Sequence, residues 1–152
     1  MRMMKLQKDI HEFVGLLISR EVEFLLVGGY ALAFHGAPRF TEDIDFLVVA
    51  SPRNAEKLTE VLREFGFGDL GILPEDFTQP DQVIQLGRAP NRIDLLTGIS
   101  GVTWERAWAT RSEADFGGLR IPLIGKTALM ENKLAAGRPQ DLADVARLRK
   151  DA

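Results

Sequence analysis

Asp43-Ile44-Asp45-Phe46-Leu47-Val48 sets two carboxylates into a run whose other residues have the branched and aromatic character of a buried strand. On a strand, residues two apart point to the same side, so Asp43 and Asp45 project together while Ile44 and Phe46 face the other way, and Glu42 is out of phase. Aspartate is depleted in strands, and two like charges on one face repel unless positive charge lies between them. A D-x-D alone recurs by chance in a chain rich in aspartate, so the flanking residues decide what it means.

Upstream, Phe24-Leu25-Leu26-Val27 is a short apolar run ended by Gly28-Gly29, and Tyr30 to Phe34 predicts a brief helix that stops at Gly36 and Pro38. Strand, glycine turn and helix follow in that order, which aims bare backbone N–H groups and the positive end of a helix dipole at whatever lies there; phosphate suits such a place. Further upstream, Ile10, Phe13, Val14, Leu17 and Ile18 recur at helical steps, predicting an amphipathic helix over about 6–20 that covers a sheet.

Downstream, Ser51-Pro52 fits an N-cap with proline in the first turn, and Ala55, Leu58, Val61, Leu62 and Phe65 mark the apolar face of a crossover helix up to Gly66. The stretch 68–80 reads as a surface loop. Gln82 to Leu86 and Arg92 to Leu96 read as two strands around a turn at Pro90-Asn91. Trp104 to Ala109 reads as a short helix, Leu119 to Ile124 as a strand, and Gly125 to Ala136 and Pro139 to Lys150 as helices. The expected fold class is α+β: a mixed β-sheet flanked by helices, in one domain over 1–152 with a C-terminal helical segment at about 125–150, and with the carboxylates gathered at one mouth.

The second strand of the later pair carries Asp94 in Asn91-Arg92-Ile93-Asp94-Leu95-Leu96, a third carboxylate in an apolar setting. Asp43, Asp45 and Asp94 are therefore the candidate metal ligands. Hard oxygen donors point to Mg2+ or Mn2+, since the chain has no cysteine and only two histidines, His11 and His35. Three carboxylates can hold two ions about 3.5–4 Å apart, one activating an attacking hydroxyl and one neutralising a leaving oxygen in phosphoryl displacement, with Asp94 nearest the hydroxyl.

Composition narrows the remaining choices. The absence of cysteine excludes disulfides, thiolate catalysis and thiolate-bound zinc, and fits a reducing cytosol. A formal charge of −3 leaves no overall positive field to gather nucleic acid. No apolar run approaches the roughly 20 residues of a membrane span, and the polar start is unlike a signal peptide, so a soluble cytoplasmic protein without membrane contact is expected.

Val27-Gly28-Gly29-Tyr30-Ala31-Leu32, His35-Gly36, Arg39, Thr41 and Asp43-Ile44-Asp45-Phe46-Leu47-Val48 together resemble the signature of the DNA polymerase beta nucleotidyltransferase superfamily, most closely its abortive-infection type, toxin-like minimal branch. Lys133, Arg138, Asp141 and Asp144 resemble that branch's late K…R…D…D segment, so the likeness runs from Phe24 to about Leu148. It implies transfer of a nucleoside monophosphate from an NTP to a hydroxyl with release of pyrophosphate. Asp43, Asp45 and Asp94 would be catalytic and metal-binding, and Gly28, Gly29, Arg39, Thr41 and Lys133 nucleotide-binding. It also implies an acceptor that is a tRNA end, a protein or a small molecule, and an antitoxin partner in a toxin–antitoxin system. Many relatives have serine where this chain has Gly29, leaving backbone donors for which Arg39 or Lys133 could compensate.

Each residue also has a structural reading. Asp43 and Asp45 could cap backbone N–H groups, Gly28-Gly29 could be a plain tight turn, and Asp94 could pair with Arg92. Lys126 and Lys133 could be solvated on one helix face. Asp141 suits a helix first turn, and Asp144 could pair with Arg147. His35 fits a helix C-cap or a buried hydrogen-bonder, and Trp104 and Trp108 fit the core. Two rival functions stand beside the first. One is an antibiotic-modifying nucleotidyltransferase, for whose acceptor region 152 residues leave little room; the other is an inactive nucleotide- or partner-binding module.

Overall fold

The computed structural model describes residues 6–88 and 91–150. Helix α1 (Leu6–Ser19) leads into strand β1 (Phe24–Val27), helix α2 (Gly28–Phe34), strand β2 (Asp43–Val48) and helix α3 (Pro52–Phe65). Strands β3 (Val83–Arg88) and β4 (Asn91–Leu96) follow, then helix α4 (Trp104–Ala109), strands β5 (Ser112–Phe116) and β6 (Leu119–Leu123), and helices α5 (Lys126–Ala136) and α6 (Pro139–Lys150).

The strands form one mixed, six-stranded sheet in the order β3-β4-β2-β1-β6-β5. β2 runs parallel to β4 and β1 parallel to β6, while β1/β2, β3/β4 and β5/β6 are antiparallel. This is the α+β arrangement expected from the alternation of strand and helix signals.

Strand parity divides the sheet. Ile44, Phe46, Ile93, Leu95 and Leu86 are fully buried on one face, against α1 and α3, where Phe13 meets Phe65 edge-on at 5.1 Å and Phe46 at 6.0 Å. Each such side chain contributes about 1.5–3 kcal/mol by leaving water. Buried Asn54 fastens α3 to the sheet ends: its Oδ1 accepts from Glu23 N, and its Nδ2 donates to the carbonyls of Glu23 and Val49. The opposite face carries Asp43 beside Arg92, Asp45 beside Asp94 beside Gln85, and Leu47 beside Leu96 beside Val83.

Three details depart from expectation. Gly28 and Gly29 are themselves the first residues of α2, with no turn between strand and helix. The stretch 68–80 contains two 3-10 segments, Gly68–Leu70 and Pro74–Phe77, the second anchored by fully buried Phe77. β5 was not anticipated: Ser-Glu-Ala-Asp-Phe has little β propensity, and its place at the sheet edge needs only pairing with β6 through the turn at Gly117-Gly118. Among the described residues, no helix is long and apolar enough to cross a membrane.

Candidate active site

β2 and β4 lie side by side in register, so Asp43, Asp45 and Asp94 converge from two strands. Each offers an oxygen within 4.8 Å of the others. Asp94 is buried, and the other two are half-buried.

Asp45 is the most constrained. Its pKa is raised to about 7, first by burial and then by the charges of Asp43 and Asp94, against an opposing pull from Lys133. The pull from Lys133 does not offset that burial and repulsion. The hard oxygen set and the unrelieved repulsion both fit a divalent cation.

Gly28 shows why the glycine pair is needed here. Its φ of +68° is left-handed, and a Cβ on it would fall 2.1 Å from Asp45 Oδ2. The carboxylate occupies the space that any side chain would need. A Cβ on Gly29 would lie 3.1 Å from both Cβ and Oγ1 of Thr41, so the Thr41 hydroxyl fills the room that a serine side chain would use. Thr41 Oγ1 in turn donates toward Asp43 O and Oδ1, each at 3.1 Å.

One cation already sits in the cluster. Arg92 Nε donates to Asp94 Oδ1 at 2.8 Å, and its Nη2 donates to Asp43 Oδ2 at 2.7 Å and to Asp94 Oδ2 at 3.1 Å. The alternative reading of Asp94 as an ion-pair partner of Arg92 is thus realised, and the same carboxylate is also part of the triad. Arg92 offers a single charge to three carboxylates and leaves Asp45 without a share.

The late motif is buried machinery. Lys133 is only 6% exposed, with Nζ 3.1 Å from Asp144 Oδ2 and 3.4 Å from Asp141 Oδ1, which corrects the picture of a solvated lysine. Asp144 is fully buried and takes Arg39 Nε and Nη2 at 2.9 and 3.1 Å and Gln140 Nε2 at 3.1 Å; it does not pair with Arg147. Arg147 instead donates to Pro38 O at 2.5 Å. Burial alone would raise the pKa of Asp144, but hydrogen bonds from Arg39, Lys133 and Gln140 outweigh it and hold the group below the usual carboxylate range. Asp141 is lowered likewise, burial being outweighed by Arg138 and Lys133. Asp141 also accepts from Arg138 N, so its place in the first turn of α6 is both a cap and an ion pair.

Other candidates fall outside the triad. Lys126 opens α5. His35 caps the C-terminus of α2, and its Nε2 donates to Ile124 O at 2.7 Å, a structural role. Trp104 packs on the core, but Trp108, expected there too, is 39% exposed; it stacks on Trp104 at 5.5 Å beneath the Arg111 guanidinium.

A cleft of about 1390 Å³ joins these parts, lined by Gly28, Gly29, Arg39, Thr41, the three aspartates, Arg92, Lys133 and Arg138, and extending along β3 to Asp81, Gly98 and Ser100. Arg92 and Gln85 are among the lining residues that the sequence did not mark as site residues. Their signal was parity with Asp94, two positions along β4 and directly across in β3.

The fold is that of known nucleotidyltransferases. Lincosamide antibiotic adenylyltransferase LnuA, solved with lincomycin bound, superposes with a TM-score of 0.57 at 15% identity, covering 95% of this chain and 97% of that one. ANT(2")-Ia, solved with adenylyl-2"-tobramycin, gives 0.58 at 14% identity over 95% and 87%. A nucleotidyltransferase-like protein of Thermotoga maritima, TM1012, gives 0.57 at 14% over 95% and 92%. No protein among curated sequences matches the chain. A family profile described as "Nucleotidyl transferase AbiEii toxin, Type IV TA system" matches residues 18–97, more than half the chain, from the end of α1 through the glycine pair and all three aspartates. The chain belongs to the AbiEii nucleotidyl transferase toxin family of type IV toxin–antitoxin systems.

Proposed function

We propose that the protein is a divalent-metal-dependent nucleotidyltransferase that moves an NMP group from an NTP to a hydroxyl, as the toxin of a toxin–antitoxin pair. The observation that carries this reading is the convergence of Asp43, Asp45 and Asp94 within 4.8 Å beside a left-handed glycine whose missing side chain makes room for Asp45.

Asp43 and Asp45 would hold Mg2+ or Mn2+ with Asp94. When bound, the ions supply positive charge that favours deprotonation of the attacking hydroxyl and offsets charge on the leaving oxygen. The backbone N–H groups of Gly28 and Gly29 receive the triphosphate, with the Thr41 hydroxyl beside them in place of the serine of many relatives. Arg39 and Lys133 add positive charge along that wall. Asp94 orients the acceptor hydroxyl and takes its proton. The acceptor oxygen bonds to the α-phosphorus, the bond from that phosphorus to the bridging oxygen breaks, and pyrophosphate leaves. Positioning and charge neutralisation do the chemistry.

An antibiotic-modifying role is the second reading. Chain length is no argument against it, because LnuA is matched over 97% of its own length. Incubation with α-labelled NTPs, Mg2+ and a cell extract tests the main reading: label should pass to one acceptor class, RNA, protein or small molecule. Binding of NTP without transfer to any of them would favour an inactive binding module.

A further inference from the structure

Arg92 is tied to two strands at once. Its Nε donates to Asp94 Oδ1 at 2.8 Å, and its Nη2 is shared between Asp94 Oδ2 at 3.1 Å and Asp43 Oδ2 at 2.7 Å. The remaining oxygen of the two carboxylates, Asp43 Oδ1, accepts from the Thr41 hydroxyl at 3.1 Å. Each carboxylate oxygen of Asp43 and Asp94 therefore accepts a hydrogen bond, and all but one of these bonds come from a single guanidinium.

The bonds are not equivalent. Asp94 lies two residues along the same strand and is gripped by a two-pronged fork, planar guanidinium against planar carboxylate, which is the strong form of this pair. Asp43 lies across the strand pair, in register with Arg92, and takes one bond from a donor that Asp94 already uses. Giving up Asp43 leaves the fork whole, whereas giving up Asp94 destroys it.

Charge points the same way. Ionised Asp43, Asp45 and Asp94 together exceed the charge of one divalent cation by a single unit, and Arg92 supplies that unit. Arg39, Lys133 and Arg138 also line the cleft, but their ion pairs are with Asp141 and Asp144. Among the described residues, Arg92 is the cation ion-paired to the triad, and its side chain is 28% exposed, on the cleft side.

We infer that Arg92 is a positioning residue that holds Asp43 and Asp94 together until a divalent cation takes Asp43, and that it then stays forked on Asp94. Before the cation enters, the guanidinium offsets the repulsion between carboxylates that two strands bring within 4.8 Å of one another. Once the cation is in, the bond to Asp43 is lost and the charge of Arg92 stands against that of the ion. The ion is therefore held less tightly than a bare triad would hold it, and remains exchangeable. The fork keeps Asp94 aligned throughout. The inference rests on the metal-dependent reading of the site and adds to it the bond that the ion must displace.

Mn2+ binding to the full chain at pH 8 without nucleotide, followed by paramagnetic resonance of the free ion, tests it. Wild type should bind Mn2+, and Arg92→Gln should bind it at least about tenfold more tightly, because the opposing charge is gone. Arg92→Lys keeps the charge and loses the fork, so its affinity should stay within about threefold of wild type. An Arg92→Gln protein that binds Mn2+ no more tightly than wild type, or an Arg92→Lys protein that binds it as tightly as Arg92→Gln, would overturn the inference. A measurement on wild type stands beside the variants. In nitrogen-15 NMR, the Arg92 Nε–H signal, identified by its loss in Arg92→Lys, should persist when Mg2+ saturates the site. Its disappearance would mean that the fork is lost, which overturns the inference whether or not the variants fold. A wild type that binds no Mn2+ would overturn the metal reading itself.

Discussion

Asp144, on the last helix, grips Arg39, which lies 105 residues earlier in the loop before β2, through both Nε and Nη2. The same loop is held again by Arg147 on Pro38 O, and it delivers Thr41 to Asp43. A carboxylate with no exposure thus fixes the approach to the metal ligands from the far end of the chain.

Removing one partner of such a buried pair leaves charge uncompensated, so Asp144→Ala should lose about 3 kcal/mol of stability. Lys133 would keep Asp141, which limits the damage. Urea denaturation of the two proteins checks the figure. A loss under about 1 kcal/mol would show that the grip on Arg39 is incidental.

Stability should respond to pH in two windows of opposite sign. Asp141 and Asp144 have folded pKa values below the unfolded carboxylate value of about 3.9, so their contribution is complete above it and lost as pH falls through the folded values. Asp45 is raised to about 7, so without metal its ionisation costs stability as pH rises from about 4 to about 7. Binding a cation displaces that proton. Mn2+ affinity should therefore climb with pH below about 7 and level off above it, which titrations at stepped pH will read.

Gly28→Ala should leave the fold and disable the site. The left-handed backbone costs an alanine about 1 kcal/mol, a small change in melting temperature. The new methyl meets Asp45 Oδ2, and the carboxylate must move. Nucleotidyl transfer should drop by about a hundredfold or more, as misplacement by an ångström can cost that much.

Arg92 neutralises part of the triad, and its removal should expose the repulsion. Arg92→Ala is expected to lower the melting temperature in EDTA and to recover much of the loss in millimolar Mg2+. A variant equally unstable with and without Mg2+ would mean that Arg92 serves packing and not charge.

How much of this was legible beforehand follows from what each signal depends on. Parity put Asp43 and Asp45 on one face, and composition identified β1, α3, α4 and α6, because those features are local. The partnership of β2 with β4 is not local, and it alone brings Asp94 to the pair. β5 escaped because its acidic, small residues are strand only by virtue of β6. Lys133 was named as a site residue through its motif, but its burial was not legible, because its partners, Asp141 and Asp144, lie across a helix turn at Gly137 that sequence periodicity does not fold back. Arg92 was visible as a partner for Asp94, but its reach to Asp43 required the sheet.

Direct Mn2+ binding to wild type and Asp45→Asn tests most closely whether the three aspartates hold the ions that make nucleotidyl transfer work. Wild type should bind Mn2+ at pH 7.5, and Asp45→Asn should lose at least about tenfold in affinity, together with NMP transfer. An Asp45→Asn protein that binds Mn2+ and transfers NMP as wild type does would contradict it.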